Sequence, residues 1–396
     1  MNVLVVSHMY PRPSDPALGV FVEEEVQELS RECRIKVVAP VPWFLPLKFL
    51  KKWYAYTRIP LHEIRNDIEV FRPRAIVFPR KILFSLLGFT YFISLLGCVR
   101  EMDKNFSFDL IHAHTAYPDG FAAGLLARTL KRPAVVTLHG SDVNVNFKRY
   151  LWRRLGLWAL SNADQVIAVG HALRRTVVEE YGADGDKVKV IPNGVDVGRF
   201  APIPRVDAAK RLGLENDRSR ILYVGGIKKS KGIDYLLSAA KRLVETVDRR
   251  LELFLVGEGE YEQQAKLLAN KLEITDLVHF AGKQPNQEIP LWMNACDVLV
   301  LPSLSEGFGV VLIEAMACGR PVIATRCGGP EDIVNADTGI LVPPGDEAAL
   351  ANALHDALSG ECQFDPERIR KYAMDNYAYD RIAPSILEVY RQVVQS

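Results

Sequence analysis

Two glutamates, Glu306 and Glu314, stand on either side of a glycine-flanked phenylalanine in the stretch SEGFGVVLIEAMACG, residues 305–319. Glu314 is the only charged residue in the apolar run after the phenylalanine, and its neighbours at helical spacing are apolar. An unpaired carboxylate in such surroundings destabilises the fold substantially. We therefore expect Glu314 to be buried beside a partner, which is either a bound ligand or, as a structural alternative, Arg320 or Arg326.

A second group of charges follows a strand-like run in YVGGIKKSKGIDYLL, residues 223–237. Lys228, Lys229 and Lys231 stand where a strand ends and a helix begins, a position that favours bound anions. The order of glycine and lysine residues differs from that of a P-loop, so the turn is a different kind of anion site.

Gly307 and Gly309 leave backbone N–H groups accessible where the helix that carries Glu314 begins. A ligand with both phosphates and vicinal hydroxyls would meet lysines and N–H groups with its phosphates and a carboxylate with its diol. A nucleotide ribose and diphosphate have this combination of groups.

The 396 residues and the 48% hydrophobic content predict a globular chain of two domains. The six cysteines show no metal-binding spacing, which indicates a reducing compartment. The first residues, MNVLVVSHMYP, lack the basic start of a signal peptide and read as a buried strand. A net charge of +1 argues against a general nucleic-acid binder.

The charge is distributed unevenly along the chain. Residues 1–197 contain 26 basic against 20 acidic residues, whereas the rest of the chain has a net charge of −5. Much of the basic excess lies in residues 36–81, where aromatic residues interleave with lysines in WFLPLKFLKKWYAYTR. This pattern predicts a surface for anionic lipid headgroups, and a solvated basic loop is the alternative.

The next segment, residues 82–99, is an uncharged run of eighteen residues. As a helix it would reach about 27 Å, the lower limit for crossing a bilayer. Strand-like runs lie on both sides of it, and a single crossing would place them on opposite faces of the membrane. We therefore predict a buried helix, or one that grazes the membrane surface.

Short β-rich runs alternate with helical patterns along the chain, in two successive series. The predicted strands are 2–7, 35–39, 109–113, 134–138, 165–169, 220–225, 251–257, 277–281, 297–301, 321–325 and 340–343. The alternation predicts an α/β protein with two doubly wound, Rossmann-like domains that face a central cleft. The connector is predicted near 191–202. Three segments follow: an acceptor domain 1–197, a donor domain 198–377, and a terminal helix 378–396 that crosses back to the first domain.

The spacing of Glu306 and Glu314 within PSLSEGFGVVLIEAMACGRPVIAT resembles the E-x7-E signature of the retaining family-4 glycosyltransferases, which have the GT-B fold. The segments HMYPRPSDPALGVFVEEEVQEL, DLIHAHTAYPDG, VVTLHGSD, VIPNGVD and YVGGIKKSKG extend the resemblance in order along nearly the whole chain. Relatives with a similar N-terminal motif build cell-surface polysaccharides.

The resemblance implies a role for each matching residue. Glu314 would bind the ribose hydroxyls of a nucleotide-diphosphate sugar, and Lys231 would neutralise its diphosphate. Glu306, with the backbone of Phe308 and Gly309, would hold the transferred sugar.

From the first domain, Gly19 would lend a backbone N–H group to the diphosphate, and His139 would lie beside the reacting sugar. A strand-end histidine bonded only for structure is the alternative for His139. Most relatives have an arginine where this chain has Gly226, and Lys228 is the candidate to fill that space. The DLIHAHTAYPDG segment adds two acceptor-side candidates, His114 and Asp119.

No metal requirement is predicted, because lysines and helix N-termini can neutralise a departing diphosphate. Asp184 and Asp186 resemble a DxD metal site but precede a strand in a glycine-containing turn, so we interpret them as turn residues. His112 and His114 share one face of a strand, but the sequence supplies no third ligand.

The resemblance implies a UDP- or GDP-linked donor, and a lipid-linked or saccharide acceptor in surface polysaccharide synthesis. The enzyme would be cytoplasmic and peripheral at the inner face of the cell membrane. A GT-B sugar-nucleotide epimerase and a non-catalytic nucleotide-sugar-binding subunit are the alternatives. A nicotinamide dehydrogenase is disfavoured because LVGEGEYEQQ lacks the third glycine of a dinucleotide fingerprint.

Overall fold

The computed structural model of the chain describes residues 1–43, 51–77, 83–215, 217–246 and 251–395, except for the side chains of 51–53 and 246. The chain forms two compact α/β units. Unit 1 comprises Met1–Asn193 and Asp380–Ser396, and unit 2 comprises Gly194–Tyr379. The boundaries predicted from the sequence lie after residues 197 and 377, within a few residues of these divisions.

The strands of unit 1 are β1 Asn2–Val6, β2 Arg34–Val38, β3 Val41–Trp43, β4 His62–Arg65, β5 Ile68–Phe71, β6 Arg74–Ile76, β7 Leu110–His114, β8 Ala134–Leu138, β9 Gln165–Ala168 and β10 Val188–Val190. The main sheet has the order β10-β9-β8-β7-β1-β2-β5-β4. It is parallel except for β4, which pairs antiparallel with β5. Strands β7 and β8 are buried along their whole length, as expected of a parallel sheet covered on both faces.

The helices of unit 1 are α1 Val20–Leu29, α2 Lys51–Thr57, α3 Leu87–Phe106, α4 Phe121–Leu130, α5 Ser141–Asn144, α6 Tyr150–Asn162 and α7 His171–Arg175. In the sheet, β1 lies between β2 and β7, so the chain connections leave β1 on opposite sides. Such a topological switch point opens a crevice at the carboxyl ends of the two central strands, where ligands of doubly wound sheets bind.

The terminal helix of the chain, Tyr379–Gln395, packs on unit 1, although unit 2 precedes it in the sequence. Its buried side chains Ile386, Val389 and Tyr390 join one hydrophobic cluster with Val3 and Val22 of β1 and α1. The helical spacing of its apolar residues is explained by this surface.

Helix α3 and the turn before it, Phe84–Leu86, form the one helix among the described residues that is long and apolar enough to cross a membrane. It packs against α4 and β6 through one face, which buries Tyr91, Leu95 and Val99 at helical spacing. Only 22% of its apolar window is buried, and the other face is exposed.

Most of the described basic side chains in the stretch 36–81, which was predicted to face lipid, are engaged by other groups of unit 1. Arg72 is buried and bonds Glu63 and the Pro11 carbonyl. The remaining engaged basic side chains and their partners are Arg65 with Glu23, Lys36 with Glu69, and Arg74 with the carbonyls of Tyr56 and Ile59. The sheet extends through β4 and β5 here, so internal carboxylates and carbonyls take up these charges. Lys48, Arg80 and Lys81 lie outside the described residues, as do the side chains of Lys51 and Lys52.

The strands of unit 2 are β11 Ser219–Val224, β12 Leu251–Val256, β13 Val278–Gly282, β14 Val298–Leu301, β15 Val322–Thr325 and β16 Gly339–Val342. The helices are α8 Arg205–Arg211, α9 Ile233–Thr246, α10 Glu262–Lys271, α11 Ile289–Ala295, α12 Val310–Ala317, α13 Pro330–Ile333, α14 Glu347–Ser359 and α15 Pro366–Tyr377, and the terminal helix is α16. The parallel sheet has the order β13-β12-β11-β14-β15-β16, so its switch point lies between β11 and β14.

The predicted fold class is confirmed: each unit is a doubly wound, parallel α/β sheet. Each of the eleven predicted strands overlaps an observed one. Among the described residues, the sequence patterns missed five strands, β3, β4, β5, β6 and β10, which have three or four residues each. Short strands give a weak hydrophobic period.

Candidate functional site

The charged turns of unit 2 meet at its switch point. The turn after β11 carries the predicted lysines, and the loop after β14 carries Glu306. Because β11 and β14 are neighbours in the sheet, these two segments emerge side by side. The Leu304 N–H group donates to the Ser230 carbonyl at 2.9 Å and joins them directly.

Lys231 and Glu306 form an ion pair at this edge. Lys231 Nζ lies 2.6 Å from Glu306 Oε2, and both side chains are partly exposed. The backbone of Glu306 is fixed on both sides, since its N–H group donates to Cys327 and its carbonyl accepts from Gly329. The sequence predicted a role for each charge but not the contact between them.

Two glycines allow the close approach of these segments. Gly232 follows Lys231 with φ +69°, and a Cβ atom there would lie 1.9 Å from the Pro302 carbonyl oxygen. Gly309 precedes α12 with φ +101°, and its neighbour Phe308 is buried edge-on against the Tyr377 ring. L-residues with a side chain rarely adopt such φ values.

Lys228 lies beside the position of the missing arginine. Its backbone is extended and its side chain is exposed. A Cβ atom at Gly226 would be 3.6 Å from Lys228 Cε, so the lysine stem runs past the space that an arginine at 226 would enter.

The expectation that Glu314 is buried is wrong. It lies on α12 among buried Ile313, Ala315 and Ala317, but Glu314 itself is partly exposed. Val310, Val311 and Glu314 are the partly exposed residues of α12, so this helix has one narrow open side and Glu314 lies on it. Burial lowers the pKa of Arg320, one of the alternative partners, and the nearby Asp297 carboxylate opposes this shift.

In unit 1, the predicted residues gather where β1, β7 and β8 end. His8 follows β1, and its ring Nδ1 lies 2.7 Å from Asp119 Oδ2. The His8 N–H group also donates to this oxygen at 3.1 Å. Asp119 is fully buried and holds the chain after β7 against the chain after β1.

His139 at the end of β8 is hydrogen-bonded to His114 at the end of β7. The two rings are stacked, and His114 Nδ1 lies 3.0 Å from His139 Nε2. Asp142 accepts hydrogen bonds from the N–H groups of His139 and Gly140, and its other oxygen accepts one from Ala116. The Phe21 ring packs 4.8 Å from the His139 ring, centroid to centroid.

Burial keeps these histidines neutral. It lowers the pKa of His139 and of His112 to about 3, and it lowers the pKa of His114 well below its usual value. His139 therefore offers a neutral imidazole rather than a cation at neutral pH, and it interacts with a ligand through hydrogen bonds.

Glu25 of α1 is the third group that the sequence did not supply beside His112 and His114. The ligand atoms of these three residues lie within 4.8 Å of one another, close enough to share a metal ion. Both nitrogens of His112 are already bonded, however, at 2.6 Å to Tyr390 and at 2.7 Å to Thr137. We therefore assign no metal to this group.

The predicted residues thus form two groups, each within its own unit. Unit 1 contains Gly19, His114, Asp119 and His139, and Gly19 precedes α1 beside the Met9 carbonyl. Unit 2 contains Lys228, Lys231, Glu306, Phe308, Gly309 and Glu314.

Sequence reasoning missed His8, Asp142 and Glu25. Glu25 carried a readable signal, because it lies on the face of α1 that buries Val22, Val26 and Leu29. A carboxylate on the apolar face of a helix requires a polar partner.

Comparison with known proteins gives matches to both units. Residues 205–376 match the family described as glycosyl transferases group 1, and residues 18–199 match glycosyltransferase family 4. The glycosyltransferase TuaC, assigned to teichuronic acid biosynthesis in Bacillus subtilis (strain 168), is 33% identical to this chain. The aligned region covers 89% of this chain and 88% of TuaC.

Solved structures match the fold over the whole chain. The sucrose-phosphate synthase of Thermosynechococcus elongatus has a TM-score of 0.82 at 23% identity, with 99% of each chain covered. Anabaena HepE in complex with UDP-glucose has a TM-score of 0.74 at 23% identity, covering 99% of this chain and 100% of its own.

Proposed function

The chain belongs to the family 4 glycosyltransferases and is a nucleotide-sugar-dependent enzyme of GT-B fold, and on this basis we propose that it transfers a sugar from a UDP- or GDP-linked donor with retention of configuration and without a metal ion. This membership confirms the family resemblance and excludes a nicotinamide dehydrogenase.

The observation that carries the proposal is the ion pair of Lys231 and Glu306 at the switch point of unit 2. Transfer breaks the bond between the anomeric carbon and the diphosphate and forms a bond to an acceptor oxygen. Negative charge therefore grows on the diphosphate while positive charge grows at the sugar. Lys231 is suited to the first charge and Glu306 to the second.

Unit 2 also offers the polar groups that a nucleotide needs. We assign the ribose diol to Glu314, because its partly exposed carboxylate lies on α12 near the accessible N-terminus after Gly309. Lys228 is assigned to the diphosphate, where it would replace the arginine absent at Gly226.

Thermal unfolding against a panel of UDP- and GDP-sugars tests the donor assignment. A ligand at 100 times its Kd stabilises the folded state by about 2.7 kcal/mol, so the correct nucleotide should raise the Tm clearly. Product analysis in the presence of a saccharide or lipid-linked acceptor then separates the two activities: a transferase yields a new glycoside, and an epimerase yields an altered donor sugar.

We expect Glu314→Gln to weaken donor binding about tenfold or more, because the amide loses the charge that strengthens hydrogen bonds to the diol. The Tm without ligand should change little, because Glu314 is partly exposed. Glu331→Gln is the control, since Glu331 is an exposed carboxylate near the same sheet edge. A variant that melts early but keeps its donor affinity would show a structural role instead.

For the acceptor, we propose a lipid-linked or saccharide chain of a surface polysaccharide. Support comes from the relative TuaC, assigned to teichuronic acid biosynthesis, which matches nearly the whole chain. A lipid-linked acceptor would require the enzyme to act as a peripheral protein at the inner membrane face.

The membrane-facing surface that we propose consists of the exposed side of α3 and the adjoining start of α6. Phe89 and Ile93 are exposed on α3, and Leu86 is exposed in the turn before it. Tyr150 and Leu151 are exposed at the start of α6. The two elements meet where the Phe84 ring packs 4.3 Å from that of Trp152.

The same surface carries positive charge suited to an anionic bilayer. The guanidinium of Arg149 lies over the Trp152 ring, and those of Arg153 and Arg154 lie near the Tyr150 ring. Aromatic and arginine side chains together favour the interface between lipid headgroups and acyl chains. We propose this surface, rather than the engaged basic side chains of the stretch 36–81, as the main contact.

We expect the protein to bind anionic vesicles and to bind neutral vesicles far less. The double variant Phe89→Asn/Ile93→Asn should weaken binding to vesicles by more than about tenfold. Each substitution removes about 2 kcal/mol of the free energy gained when an apolar side chain leaves water for the membrane. Flotation with liposomes of each composition measures this. Leu267→Asn in unit 2 is the matched control, because Leu267 and Ile93 are both 72% exposed.

High salt should release the bound protein, since each arginine contributes about 1 kcal/mol that salt screens. Binding that resists high salt would indicate insertion of the whole apolar helix. Equal loss in the Leu267 control would remove α3 as the contact.

A further inference from the structure

A row of buried polar groups leads from α1 to the ring of His139. Its members are Glu25, His114 and His139, on α1, β7 and β8 in turn. His114 and His139 share a hydrogen bond of 3.0 Å, and Glu25 Oε1 lies 3.8 Å from the other nitrogen of His114.

The row has unsatisfied atoms at three places. Glu25 Oε1, His114 Nε2 and His139 Nδ1 are buried and have no hydrogen-bond partner among the described residues. Buried polar atoms normally find partners, and the first two face each other across a gap about 1 Å longer than a hydrogen bond. A small side-chain movement would join them.

In the part of the chain that the structure describes, the titratable groups that face Glu25 are uncharged at neutral pH. Burial raises the pKa of Glu25 to about 8, and it keeps His112 and His114 neutral. Tyr390 of α16 and Cys33 also face this region, and burial raises the pKa of both, that of Cys33 to about 11. Glu25 is therefore the group whose charge changes near pH 8.

We propose that Glu25 and His114 are positioning residues that determine which ring nitrogen of His139 carries its proton. When Glu25 is protonated, it donates to His114 Nε2, and His114 Nδ1–H donates to His139 Nε2. The single proton of His139 then lies on Nδ1.

When Glu25 is ionised, every hydrogen bond in the row reverses. The carboxylate accepts from His114 Nε2–H, and His114 Nδ1 accepts from His139 Nε2–H. Each ring keeps one proton, and one proton leaves Glu25 for solvent. His139 Nδ1 then has no proton and becomes an acceptor, whereas the protonated row places an N–H donor at this buried atom.

The inference rests on the proposed function, because it matters for transfer only if His139 meets the donor sugar. Its direct test does not depend on turnover. Long-range ¹H–¹⁵N spectra of the histidine rings in the full chain report the tautomer of each ring without substrate.

In the wild type, the His139 tautomer should change between about pH 6 and pH 9, following the ionisation of Glu25. In Glu25→Gln it should be the same at both pH values. Glu28→Gln, an exposed carboxylate bound to Arg31 on the same helix, is the control and should behave like wild type. A pH-independent tautomer in the wild type, or an equal effect of the control, would overturn the proposal.

Stability gives a check that Glu25→Gln folds. Because the folded state holds the Glu25 proton up to about pH 8 and the unfolded chain releases it near 4.5, wild-type stability should fall as pH rises through this window. The histidines, whose folded pKa values are depressed, affect stability only below about pH 6.5. Between pH 6.5 and 8 the free energy of unfolding of Glu25→Gln should therefore not vary with pH, and the variant should be at least as stable as wild type.

With a donor identified, His114→Phe should lower kcat by about tenfold or more, with donor KM within about threefold, since loss of a group that sets a catalytic imidazole's tautomer reduces kcat strongly. The kcat of Glu25→Gln should lack the change near pH 8 that the wild type shows.

His112→Gln is the control, because it breaks the hydrogen bonds to Tyr390 and Thr137 and should lower stability rather than kcat. A pH profile unchanged in Glu25→Gln, or a Zn²⁺-dependent rise in Tm that Glu25→Gln abolishes, would contradict the relay.

Discussion

Replacement of Glu306 by Ala is expected to lower kcat by about 10²–10³-fold while the donor KM changes by less than about threefold. The carboxylate is held by Lys231 at 2.6 Å, and its backbone is fixed between Cys327 and Gly329. In the proposed reaction it lies beside the sugar as positive charge develops. An interaction that strengthens in the transition state raises the barrier when it is lost, with little effect on donor binding.

Steady-state kinetics with the donor found by thermal unfolding measures this effect. His139→Ala should show the same pattern, and Glu331→Ala, at an exposed carboxylate near the same edge, should retain wild-type rates.

Lys231→Met should lower kcat by a similar factor. The losses of transition-state free energy from Lys231→Met and Glu306→Ala should combine less than additively, because the two residues form one ion pair. Wild-type turnover in Glu306→Ala and His139→Ala would remove both from the site.

Gly232→Ala is expected to abolish measurable donor binding and to lower the free energy of unfolding by several kcal/mol. A Cβ atom there would lie 1.9 Å from the Pro302 carbonyl oxygen, so the backbone must move. The segment that moves carries Lys231 and Ser230, which join the turn to Glu306 and Leu304. A shift of about 1 Å in such a site costs about 10²-fold in rate.

Gly213→Ala separates this collision from the intrinsic strain of the backbone. Gly213 has the same φ of +69°, but a Cβ atom there would meet nothing within 4 Å. Gly213→Ala should lower the free energy of unfolding only by the cost of a left-handed backbone conformation at alanine, about 1–2 kcal/mol, and should bind donor normally. Chemical denaturation and donor titration of both variants make the comparison. Equal losses in the two variants would show that the close approach to Pro302 has no importance of its own.

The candidate site could be predicted only in part. The sequence identified Glu306 and Lys231 separately, because each follows an apolar strand and stands near glycine. It could not give their contact, since this depends on β11 and β14 being neighbours, although 73 residues lie between the end of β11 and the start of β14. Strand order is a property of long-range packing, and no local pattern encodes it.

Burial was also predicted unevenly. An apolar run implied that Glu314 is buried, but the narrow exposed side of α12 leaves it partly accessible. The same reasoning would have succeeded for Glu25, whose apolar neighbours on α1 do face the core. A helical pattern shows which residues share a face, but only the packing shows whether that face is covered.

The sequence by itself determined the two doubly wound α/β sheets, the family, and the residue types that we propose for the nucleotide-sugar site, because hydrophobic periods and motif spacing are local properties of the chain. Tertiary structure decided the rest. It paired Lys231 with Glu306, neutralised Arg72 and Arg65 within unit 1, and brought Glu25 to His114. These contacts join residues 42 to 89 positions apart, or 9 positions apart across a hairpin, and they form because burying apolar strands and helices leaves each buried charge only the partners that the fold brings within reach.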